Sequence, residues 1–460
     1  LLLRHAESMG VEVREQVRVT EVLRDGDRIE GFKLDTGETV EGKHYVDGSG
    51  AVGLLRRAMG VESDAPKELR NIAVWDYWEN AEWAVEIGVG ATRVQVRSLP
   101  YGWIWFIPLG PTRTSIGLIC PSSYYKESGK APEELYHEAV RSQPDIAKLV
   151  ANATPRGMVE SCKDWSHLAD RLYGENWFLA GESAGFADPI LAAGMSLAHS
   201  SAREVAYTIL ELERGEIDPD WLRQRYDERN RTNIRQHIRF AQFWYSANGC
   251  FTDLQEHCTK IAREAGLRLQ PKQAWRWLSQ GGFATEAVGI PTAGSFDVAS
   301  AKQILELFDG KSQLGWLVDG YNVFKLNLRN AQEGFIGHLK DGRIERVPCY
   351  VRGEHRLPRA GYYGELIKIL EQSSEADAIY RMIQQHARSQ GDVQENVLMV
   401  RYFQALEVMI QEDWVERRVN KKKPKLRMSS DGQRFIRLSE DTKKALEEKG
   451  RSDVVRSNID

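Results

Sequence analysis

Apolar and polar residues alternate with a period of two through most of the first 50 residues, which is the spacing of a β-strand that buries one face. The alternation predicts a strand from Val11 that continues, less regularly, to Val22, and a second strand over 29–34. Asp-Gly-Asp at 25–27 is a turn signal between the two. We therefore expect a β-meander that returns into a buried strand ending near Val46.

Other segments carry the 3.6-residue period of a helix that buries one side. Apolar residues between 196 and 210 predict one such helix, and 221–247 predicts a long basic one. Residues 1–10 have the pattern of a helix end, with Gly10 as the residue that stops the helix. Further helices are expected at 299–309, 362–372 and 376–389.

Composition limits the partners and the location of the protein. Apolar residues make up 42% of the 460 residues and charged residues 28%, which is ordinary for a globular protein with a sizeable core. The net charge of -4 gives no reason to expect nucleic acid as a partner. No run of 18 apolar residues predicts a membrane-spanning helix, and the first residues are too short and too charged for a signal peptide.

The cysteines give a further indication of location. All five are scattered along the chain, and none forms a C-x-x-C pair. An odd number without regular spacing favours free thiols in a reducing cytoplasm, where we expect the protein to be located. Cys250, His257 and Cys258 could be interpreted as metal ligands. Since no second pair completes a tetrahedral set, we expect buried thiols and no metal.

Candidate chemistry begins at a turn rich in small residues. Val46-Asp47-Gly48-Ser49-Gly50 ends the predicted buried strand, and Gly-Leu-Leu-Arg-Arg at 53–57 opens a helix. Small residues at such a junction let the backbone approach a cofactor, and free amides there favour an anion. The same residues also suit a tight turn in any α/β protein, so this segment alone leaves both interpretations open.

A second strand-to-helix junction follows about 130 residues later. Asn176 to Ala180 is a short apolar strand, and glycines at 181, 185 and 194, with the Asp188-Pro189 turn, interrupt the chain before the next helix. A glycine-rich junction of this kind presents backbone N–H groups at a helix N-terminus. That arrangement is suited to bind an anion.

Between the two junctions lies a strand rich in tryptophan. Trp103, Trp105 and Ile107 are two residues apart and should share one face, while 104, 106 and 108 share the other. Gly110-Pro111-Thr112 is a turn signal, and 115–120 is expected to return as the paired strand. A hydrophobic hairpin in the core of a sheet would have the same pattern.

Together these motifs resemble a known family. Residues 103–108 read W-x-W-x-I-P, and residues 181–189 resemble the flavin-contacting G-D-x-x-G-x-x-D-P loop of large FAD-dependent monooxygenases. D-x-S-G at 47–50 followed by G-L-L-x-R resembles another flavin segment of these enzymes. In this order, the motifs resemble a flavin-dependent halogenase of the tryptophan-halogenase-like family. The resemblance implies an α/β fold like that of p-hydroxybenzoate hydroxylase, an FAD-dependent monooxygenase, with a mixed sheet and a mostly helical C-terminal domain.

The resemblance also implies roles for individual residues. A tunnel wall that separates the substrate from the flavin would be formed by Trp103, Trp105, Ile107 and Pro108. Cofactor contacts would come from Val17, Asp47, Ser49, Gly50, Gly181, Glu182, Gly185, Asp188, Pro189 and Met195. The halide would bind at the backbone amides of Ala192, Ala193 and Gly194. The substrate cavity would be lined by Leu191, Phe240, Phe243 and Trp244, the last three of which could equally be core residues.

The chain departs from the family pattern at several positions. Glu182 stands where the family usually has Asp, and 192–194 lacks the common Ser or Thr. Tryptophan halogenases proper read P-L-E-S-T-G, whereas this chain reads P-I-L-A-A-G, with Leu191 in place of the Glu that assists substitution on indole. With an apolar residue at this position, the chain resembles the phenol- and pyrrole-type branch of the family, whose substrates are often activated by their own hydroxyl.

The family's G-x-G-x-x-G element, which holds the FAD diphosphate, has no counterpart in this sequence. The lysine that halogenases use to handle the oxidised halide would also lie before Leu1. We therefore expect a fragment of a larger enzyme that does not retain FAD by itself. The expected organisation is an FAD-binding part at 1–60, the mixed sheet at 61–170, a return to the FAD-binding domain at 171–215 and a helical domain at 216–460.

The favoured function is halogenation of an electron-rich aromatic compound, either small and free or bound to a carrier protein, with chloride or bromide. A separate flavin reductase would supply the reduced FAD. An FAD-dependent hydroxylase, a flavin-linked reductase and an inactive scaffold remain alternatives. Residues 414–427 contain seven Lys or Arg against one Glu, which suits a solvated loop or a docking patch for an acidic carrier protein.

Overall fold

The computed structural model describes residues 1–83, 94–110, 112–191, 194–245, 317–353, 355–389, 395–423 and 425, with two short strands at 292–293 and 296–297. The chain forms two compact units. The first holds Leu1–Thr252 and Leu339–Ile344, and the second holds Asp253–His338 and Glu345–Asp460. No helix within the described ranges is long and apolar enough to cross a bilayer.

Up to Tyr245, short strands and helices form the first unit. The strands are β1 (Val19–Asp25), β2 (Arg28–Leu34), β3 (Thr39–Val40), β4 (Tyr45–Asp47), β5 (Ser63–Asp64), β6 (Asn71–Glu79), β7 (Gln95–Leu99), β8 (Gly102–Pro108), β9 (Arg113–Pro121), β10 (Thr154–Pro155), β11 (Glu160–Lys163), β12 (His167–Ala169), β13 (Trp177–Leu179) and β14 (Gly185–Phe186). The helices are α1 (Leu2–Ser8), α2 (Leu54–Ala58), α3 (Ser122–Ser128), α4 (Pro132–Ser142), α5 (Pro144–Leu149), α6 (Gly194–Arg214) and α7 (Pro219–Tyr245). Short 3-10 turns occupy Gly50–Val52, Lys67–Leu69, Gly181–Ser183 and Pro189–Leu191.

The N-terminal meander forms, but its first strand begins later than the alternation predicts. Gly10 follows α1 with φ +92°, which confirms the predicted helix stop. Strand β1 starts at Val19, so the prediction of a strand from Val11 is wrong. Gln16 has φ +60°, a left-handed conformation that interrupts an extended strand. Strands β1, β2 and β3 then pair in that order, with antiparallel neighbours.

An antiparallel sheet of six strands carries the tryptophan strand. Its order is β10-β6-β9-β8-β7, and β11 also pairs with β6. The predicted hairpin is confirmed as β8 and β9, in register from Trp103 opposite Ile119 to Pro108 opposite Thr114. Because side chains alternate along each strand, this register decides which residues of the two strands share a face.

The two faces of this sheet belong to different hydrophobic clusters. Ile104 and Phe106 are fully buried and pack in one cluster with Tyr136 of α4. Trp103 and Ile119 belong to another cluster, which includes β13 and part of α7. The alternation predicted along 103–108 is therefore the alternation between two separately packed faces.

Strands β4 and β13 pair in parallel, from Tyr45 opposite Trp177 to Asp47 opposite Leu179. Since parallel strands run in the same direction, the turns that follow Asp47 and Leu179 lie side by side. The hydroxyl of Ser183 joins these turns by donating to the carbonyl oxygen of Asp47 at 2.6 Å. The two glycine-containing junctions found in the sequence are thus neighbours in the fold.

Helix α6 confirms the helix predicted at 196–210, and two of its apolar positions, Leu197 and Val205, are buried as the helical period predicts. The buried residues are Leu197, Ser201, Glu204, Val205, Thr208 and Glu211, whereas Ala202, Ala206 and Leu210 are exposed. Glu204 is buried because it pairs with Arg225 and Arg229 of α7, at 2.7 and 2.6 Å. An ion pair between two helices therefore helps to decide the buried face, and apolar periodicity cannot detect it.

Helix α7 confirms the long helix predicted at 221–247, but it belongs to the first unit. The hydroxyl of Tyr226 donates to the carbonyl oxygen of Leu179 at 2.6 Å, and the carboxylate of Asp227 accepts from the amide of Leu172 at 2.8 Å. These contacts connect α7 to β13 and to the segment before it. The first compact unit accordingly includes all of α7.

Beyond residue 252, the described residues contain both strands and helices. The strands are β15 (Thr292–Ala293), β16 (Phe296–Asp297), β17 (Val323–Leu326), β18 (Gln332–Lys340), β19 (Arg343–Arg352), β20 (His355–Pro358) and β21 (Val415–Arg418). The helices are α8 (Gly361–Gln372), α9 (Ala376–Ser389) and α10 (Glu395–Gln411). The helices predicted at 362–372 and 376–389 are confirmed, and the one at 299–309 lies outside the described residues. The sequence patterns do not predict α10 or the strands.

The described part of the second unit has its own core. Helix α10 contributes Phe403, Leu406 and Met409, all almost fully buried. A helix that is buried on most of its sides has little amphipathic periodicity in its sequence. The solvated loop expected at 414–427 is wrong for Val415–Arg418, which form β21 and pair with β17. Lys423, in the same basic run, forms an ion pair with Glu375 at 2.8 Å.

Candidate functional site

The tryptophan strand β8 presents two indole rings on one face. Trp103 is buried and Trp105 is half-buried, with their ring centroids 6.0 Å apart. The Nε1 of Trp105 donates to the hydroxyl of Ser115 over 3.1 Å. A third ring, that of Trp75 in β6, lies 6.3 Å from Trp105. The sequence motif includes the first two rings, and the sheet register adds Trp75, which the motif could not indicate.

Gly117 of β9 lies opposite both Trp105 and Trp75 in the register of the sheet. A methyl group on Gly117 would come within 2.1 Å of Cζ2 of Trp105. Only a residue without a side chain therefore allows the indole of Trp105 to lie across β9. Sequence reasoning missed Gly117, although a glycine within a predicted strand often marks a close approach of this kind.

The first glycine-containing junction is held by side chains that cap α2. The carboxylate of Asp47 accepts hydrogen bonds from the amides of Ser49 and Leu55, both at 2.8 Å. The hydroxyl of Ser49 accepts one from the amide of Leu54 at 3.0 Å. These side chains are therefore engaged in the turn itself. Gly50, with φ +68°, adds no side chain to this turn.

The second junction is fixed to helix α6. Gly181 has φ +63°, and its amide donates to the hydroxyl of Ser201 at 2.8 Å. A methyl group on Gly181 would lie 3.4 Å from Ala198, so the turn runs close to the helix. Gly185 is similarly confined, because a methyl group there would lie 2.6 Å from the carbonyl oxygen of His167.

Glu182 has an exposed side chain that extends between the two junctions. A methyl group on Gly50 would be 3.9 Å from one carboxylate oxygen of Glu182, and one on Gly194 would be 3.6 Å from the other. Among the described residues, no hydrogen bond or ion pair engages this carboxylate. It can therefore accept a hydrogen bond from a hydroxyl-bearing cofactor, and two glycines leave space beside it.

Asp188 is placed differently from Glu182, since its carboxylate is directed into the protein and is only 1% exposed. It accepts hydrogen bonds from the amide of Ile190 at 3.0 Å, from Nε1 of Trp165 at 3.3 Å and from the hydroxyl of Tyr245 at 3.2 Å. Burial raises the pKa of Asp188 to about 6, although these hydrogen bonds and nearby Asn71 lower it. The side chain is therefore engaged in internal contacts, so a cofactor contact at this position would have to come from the backbone.

Tyr245, at the end of α7, connects Asp188 to the tryptophan strand. Its hydroxyl accepts a hydrogen bond from Nε1 of Trp103 at 2.9 Å and donates to the carboxylate of Asp188. Sequence reasoning selected the neighbouring aromatic residues of α7 and missed Tyr245. A tyrosine beside a predicted aromatic cluster was the available signal, because a buried hydroxyl requires a polar partner.

The other predicted site residues lie at the margins of this arrangement. Ile107 and Pro108 are half-buried at the end of β8, Pro189 begins a 3-10 turn, and Val17 is half-buried before β1. Gly194 begins α6, and Met195 beside it is 75% exposed. Two sets lie outside the description: residues 192 and 193 entirely, and the side chains of Leu191, Phe240, Phe243 and Trp244. Cys250, His257 and Cys258 also lie outside the described residues.

Comparison with known proteins bears directly on this arrangement. The sequence profile of the family described as "Tryptophan halogenase" matches residues 1–253, which is more than half of the chain. The chain belongs to the tryptophan halogenase family. The match includes both glycine-containing junctions and the tryptophan strand, so the resemblance inferred from those motifs is confirmed.

Individual halogenating enzymes are similar to this chain over part of their length. A tryptophan 2-halogenase from Chondromyces crocatus is 34% identical over 226 residues, which cover 47% of this chain and 43% of that protein. A 1H-pyrrole-2-carbonyl-(peptidyl-carrier protein) chlorinase from Pseudomonas fluorescens is 27% identical over 259 residues, 55% of this chain and 58% of that protein. The chain thus spans about half the length of these relatives.

The fold is also that of solved structures of flavin-dependent halogenases. The crystal structure of CmlS, a flavin-dependent halogenase, matches with a TM-score of 0.66 at 20% identity and covers 93% of this chain and 78% of that one. At this identity the similarity concerns the fold. The α/β fold expected for an FAD-dependent halogenase is therefore confirmed.

Proposed function

We propose that this protein halogenates an electron-rich aromatic substrate with reduced FAD, dioxygen and chloride or bromide. The observation that carries the proposal is the buried contact from Trp103 through Tyr245 to Asp188. It joins the tryptophan strand to the loop that resembles a flavin-contacting loop. The contact supports the proposal, because it would hold a wall of indole rings next to the residues that would contact the cofactor.

The residues at the two junctions fit a flavin with a hydroxylated side chain. Glu182 would accept a hydrogen bond from a cofactor hydroxyl, and Gly50 and Gly194 leave space on either side of its carboxylate. The backbone amides at the start of α6 would face a halide or an anionic oxygen, since a helix N-terminus favours negative charge. Reduced FAD, delivered by a separate flavin reductase, would supply the oxygen activation. The protein provides binding, orientation and exclusion of water.

The indole rings would separate the cofactor from the organic substrate. Trp103 is held by its hydrogen bond to Tyr245, and Trp105 by its hydrogen bond to Ser115 and by the space above Gly117. Bulky rings fixed in this way would keep an aromatic substrate away from the flavin, while a small oxidised halide passes. Halogen transfer would then be favoured over direct transfer of oxygen.

The substrate proposed is a phenol or a pyrrole, free or attached to a carrier protein. Leu191 supports this choice, because it supplies no carboxylate to remove a proton from an unactivated ring carbon. A hydroxyl group or a pyrrole nitrogen stabilises the cationic intermediate without that help. The chlorinase from Pseudomonas fluorescens acts on a carrier-bound pyrrole according to its name, whereas the halogenase from Chondromyces crocatus is named for tryptophan. The relatives therefore support either a pyrrole-type substrate or tryptophan, and Leu191 favours the phenol or pyrrole.

The test is a product assay on protein expressed from the longest reading frame that encodes this chain. A flavin reductase, NADH, FAD and chloride or bromide would be combined with a phenol, a pyrrole or free tryptophan, and products analysed by mass. We expect a mass increase of one halogen on the phenol or pyrrole. Hydroxylated product without halogen would support a hydroxylase instead. A protein that binds reduced FAD but modifies nothing in this assay would contradict the proposal.

A further inference from the structure

Three side chains from distant parts of the sequence meet in the interior of the first unit. Trp103 lies on β8, Asp188 in the turn after β14, and Tyr245 at the end of α7, and each is at most 3% exposed. The Nε1 of Trp103 donates to the hydroxyl of Tyr245 at 2.9 Å, and that hydroxyl donates to the carboxylate of Asp188 at 3.2 Å. One hydroxyl thus connects the tryptophan strand to the loop of the second junction.

We propose that Tyr245 is a positioning residue, which fixes the indole of Trp103 by linking it to Asp188. This proposal rests on the proposed halogenase function for its consequence, since the rings of the wall would have to stay in place for halogen transfer. The arrangement itself is independent of that function. Neither the W-x-W-x-I-P motif nor the flavin-loop motif includes Tyr245.

The physical argument starts from the buried indole N–H. A buried donor without an acceptor is unfavourable, so Trp103 adopts the orientation that directs Nε1 to the hydroxyl. A tyrosine hydroxyl can accept this bond and still donate its own proton. The carboxylate of Asp188 accepts the hydrogen bond that this hydroxyl donates, and it also accepts hydrogen bonds from the amide of Ile190 and from Nε1 of Trp165. The indole orientation is therefore coupled to the loop backbone.

The opposite face of the same sheet provides a matched arrangement. There the Nε1 of Trp78 donates to the hydroxyl of Tyr136 at 2.7 Å, and that hydroxyl donates to the carbonyl oxygen of Ile116 at 3.1 Å. Both pairs join a buried tryptophan to a buried tyrosine. They differ in the final acceptor, which is a backbone carbonyl for Tyr136 and the Asp188 carboxylate for Tyr245. Tyr136→Phe therefore controls for the loss of a buried hydroxyl.

The first experiment requires no flavin. Protein labelled with 5-fluorotryptophan would be examined by fluorine NMR, with the Trp103 resonance assigned by its absence in Trp103→Phe. We expect Tyr245→Phe to shift or broaden that resonance and Tyr136→Phe to leave it unchanged. An unchanged Trp103 resonance in Tyr245→Phe would overturn the proposal. So would an equal displacement in Tyr136→Phe, because the effect would then be a general loosening of the sheet.

The second experiment measures product partition in the halogenase assay. Halogenated product per NADH consumed should fall by roughly an order of magnitude in Tyr245→Phe, with more hydrogen peroxide, whereas Tyr136→Phe should keep the ratio of the unsubstituted protein. An unchanged ratio in Tyr245→Phe would overturn the consequence drawn for the wall. If no variant halogenates anything while the fluorine resonance moves as expected, the proposed function fails and the positioning role stands.

A pair of substitutions at Asp188 keeps the proposal testable if Tyr245→Phe does not fold. Asparagine retains an oxygen that accepts from the Tyr245 hydroxyl, whereas alanine removes the acceptor. The Trp103 resonance should therefore stay in place in Asp188→Asn and move in Asp188→Ala. The same displacement in both variants, or in neither, would contradict a link that runs through Tyr245.

Discussion

The indole of Trp105 lies across the α-carbon of Gly117, so close that a methyl group on Gly117 would come within 2.1 Å of the ring. The two residues are register partners on adjacent strands, and Trp75 lies opposite Gly117 on the other side. The position of Trp105 in the proposed wall thus depends on the absence of a side chain at residue 117.

We predict that Gly117→Ala displaces Trp105 and lowers stability by about 1–3 kcal/mol, because the added methyl group overpacks the sheet face. Near-ultraviolet circular dichroism should report the changed indole environment, and urea unfolding the loss of stability. Gly110→Ala, in the turn of the same hairpin, has no atom within 4 Å of the added methyl group and serves as the control. Equal behaviour of the two variants would contradict the role assigned to Gly117.

The sequence predicts the hairpin well, since the alternation along 103–108 needs only local information. It predicts less about the site, because Trp103, Asp188 and Tyr245 meet through tertiary packing over separations of up to 142 residues. Helix α6 illustrates the same limit. Its polar buried face depends on arginines of α7, and no apolar period within α6 can reveal them.

Asp188 should make the stability of the protein depend on pH. Burial raises its pKa from 3.8 to about 6, so the folded protein keeps a proton that the unfolded chain has already lost between these values. Below about pH 4, this difference in pKa contributes about 3 kcal/mol to the free energy of unfolding. The contribution is lost as the pH rises from about 4 through about 6. Urea unfolding from pH 4 to 7 should show this loss.

Asp188→Asn should remove that part of the pH dependence, because an amide does not ionise. The hydroxyl of Tyr245 donates to the carboxylate of Asp188, and so does Nε1 of Trp165, whose carbonyl oxygen lies 3.0 Å from Nδ1 of His167. His167→Gln is the control and should retain the loss. A loss that survives in Asp188→Asn and disappears in His167→Gln would assign it to the histidine.

Glu204 should be important for the packing of α6 on α7. It is 1% exposed and lies 2.7 Å from Arg225, which is itself buried. We predict that Glu204→Gln lowers the free energy of unfolding by about 3–5 kcal/mol, because it removes the negative charge that faces the buried guanidinium of Arg225. Glu213→Gln, on the same helix but with an exposed ion pair to Lys43, should change it by less than about 1 kcal/mol. Similar losses in both variants would show that burial of the charge is not the cause.

Glu182 should affect cofactor binding without affecting stability. Its carboxylate is exposed, and no contact among the described residues depends on it. We predict that Glu182→Ala weakens FAD binding roughly tenfold, because one hydrogen bond to a charged group is lost. Thermal stability should not change. Flavin fluorescence titration of protein from the longest reading frame measures this. Glu175→Ala removes another exposed carboxylate, which lies before β13 and pairs with Arg28, and should leave FAD affinity unchanged.

The residue at position 191 leads to a prediction about substrates that differ by a single group. Without a carboxylate there, the reaction should rely on electron donation by the substrate itself. A phenol should therefore react much faster than its methyl ether, which cannot ionise, and a free tryptophan should remain unmodified. The yields of halogenated product from a phenol and from its methyl ether, measured by mass at equal substrate concentration, test this.

Leu191→Glu adds the missing carboxylate and should reduce the difference between phenol and ether. Equal rates for phenol and ether in the unsubstituted protein, or efficient chlorination of tryptophan, would show that activation does not come from the substrate's own hydroxyl.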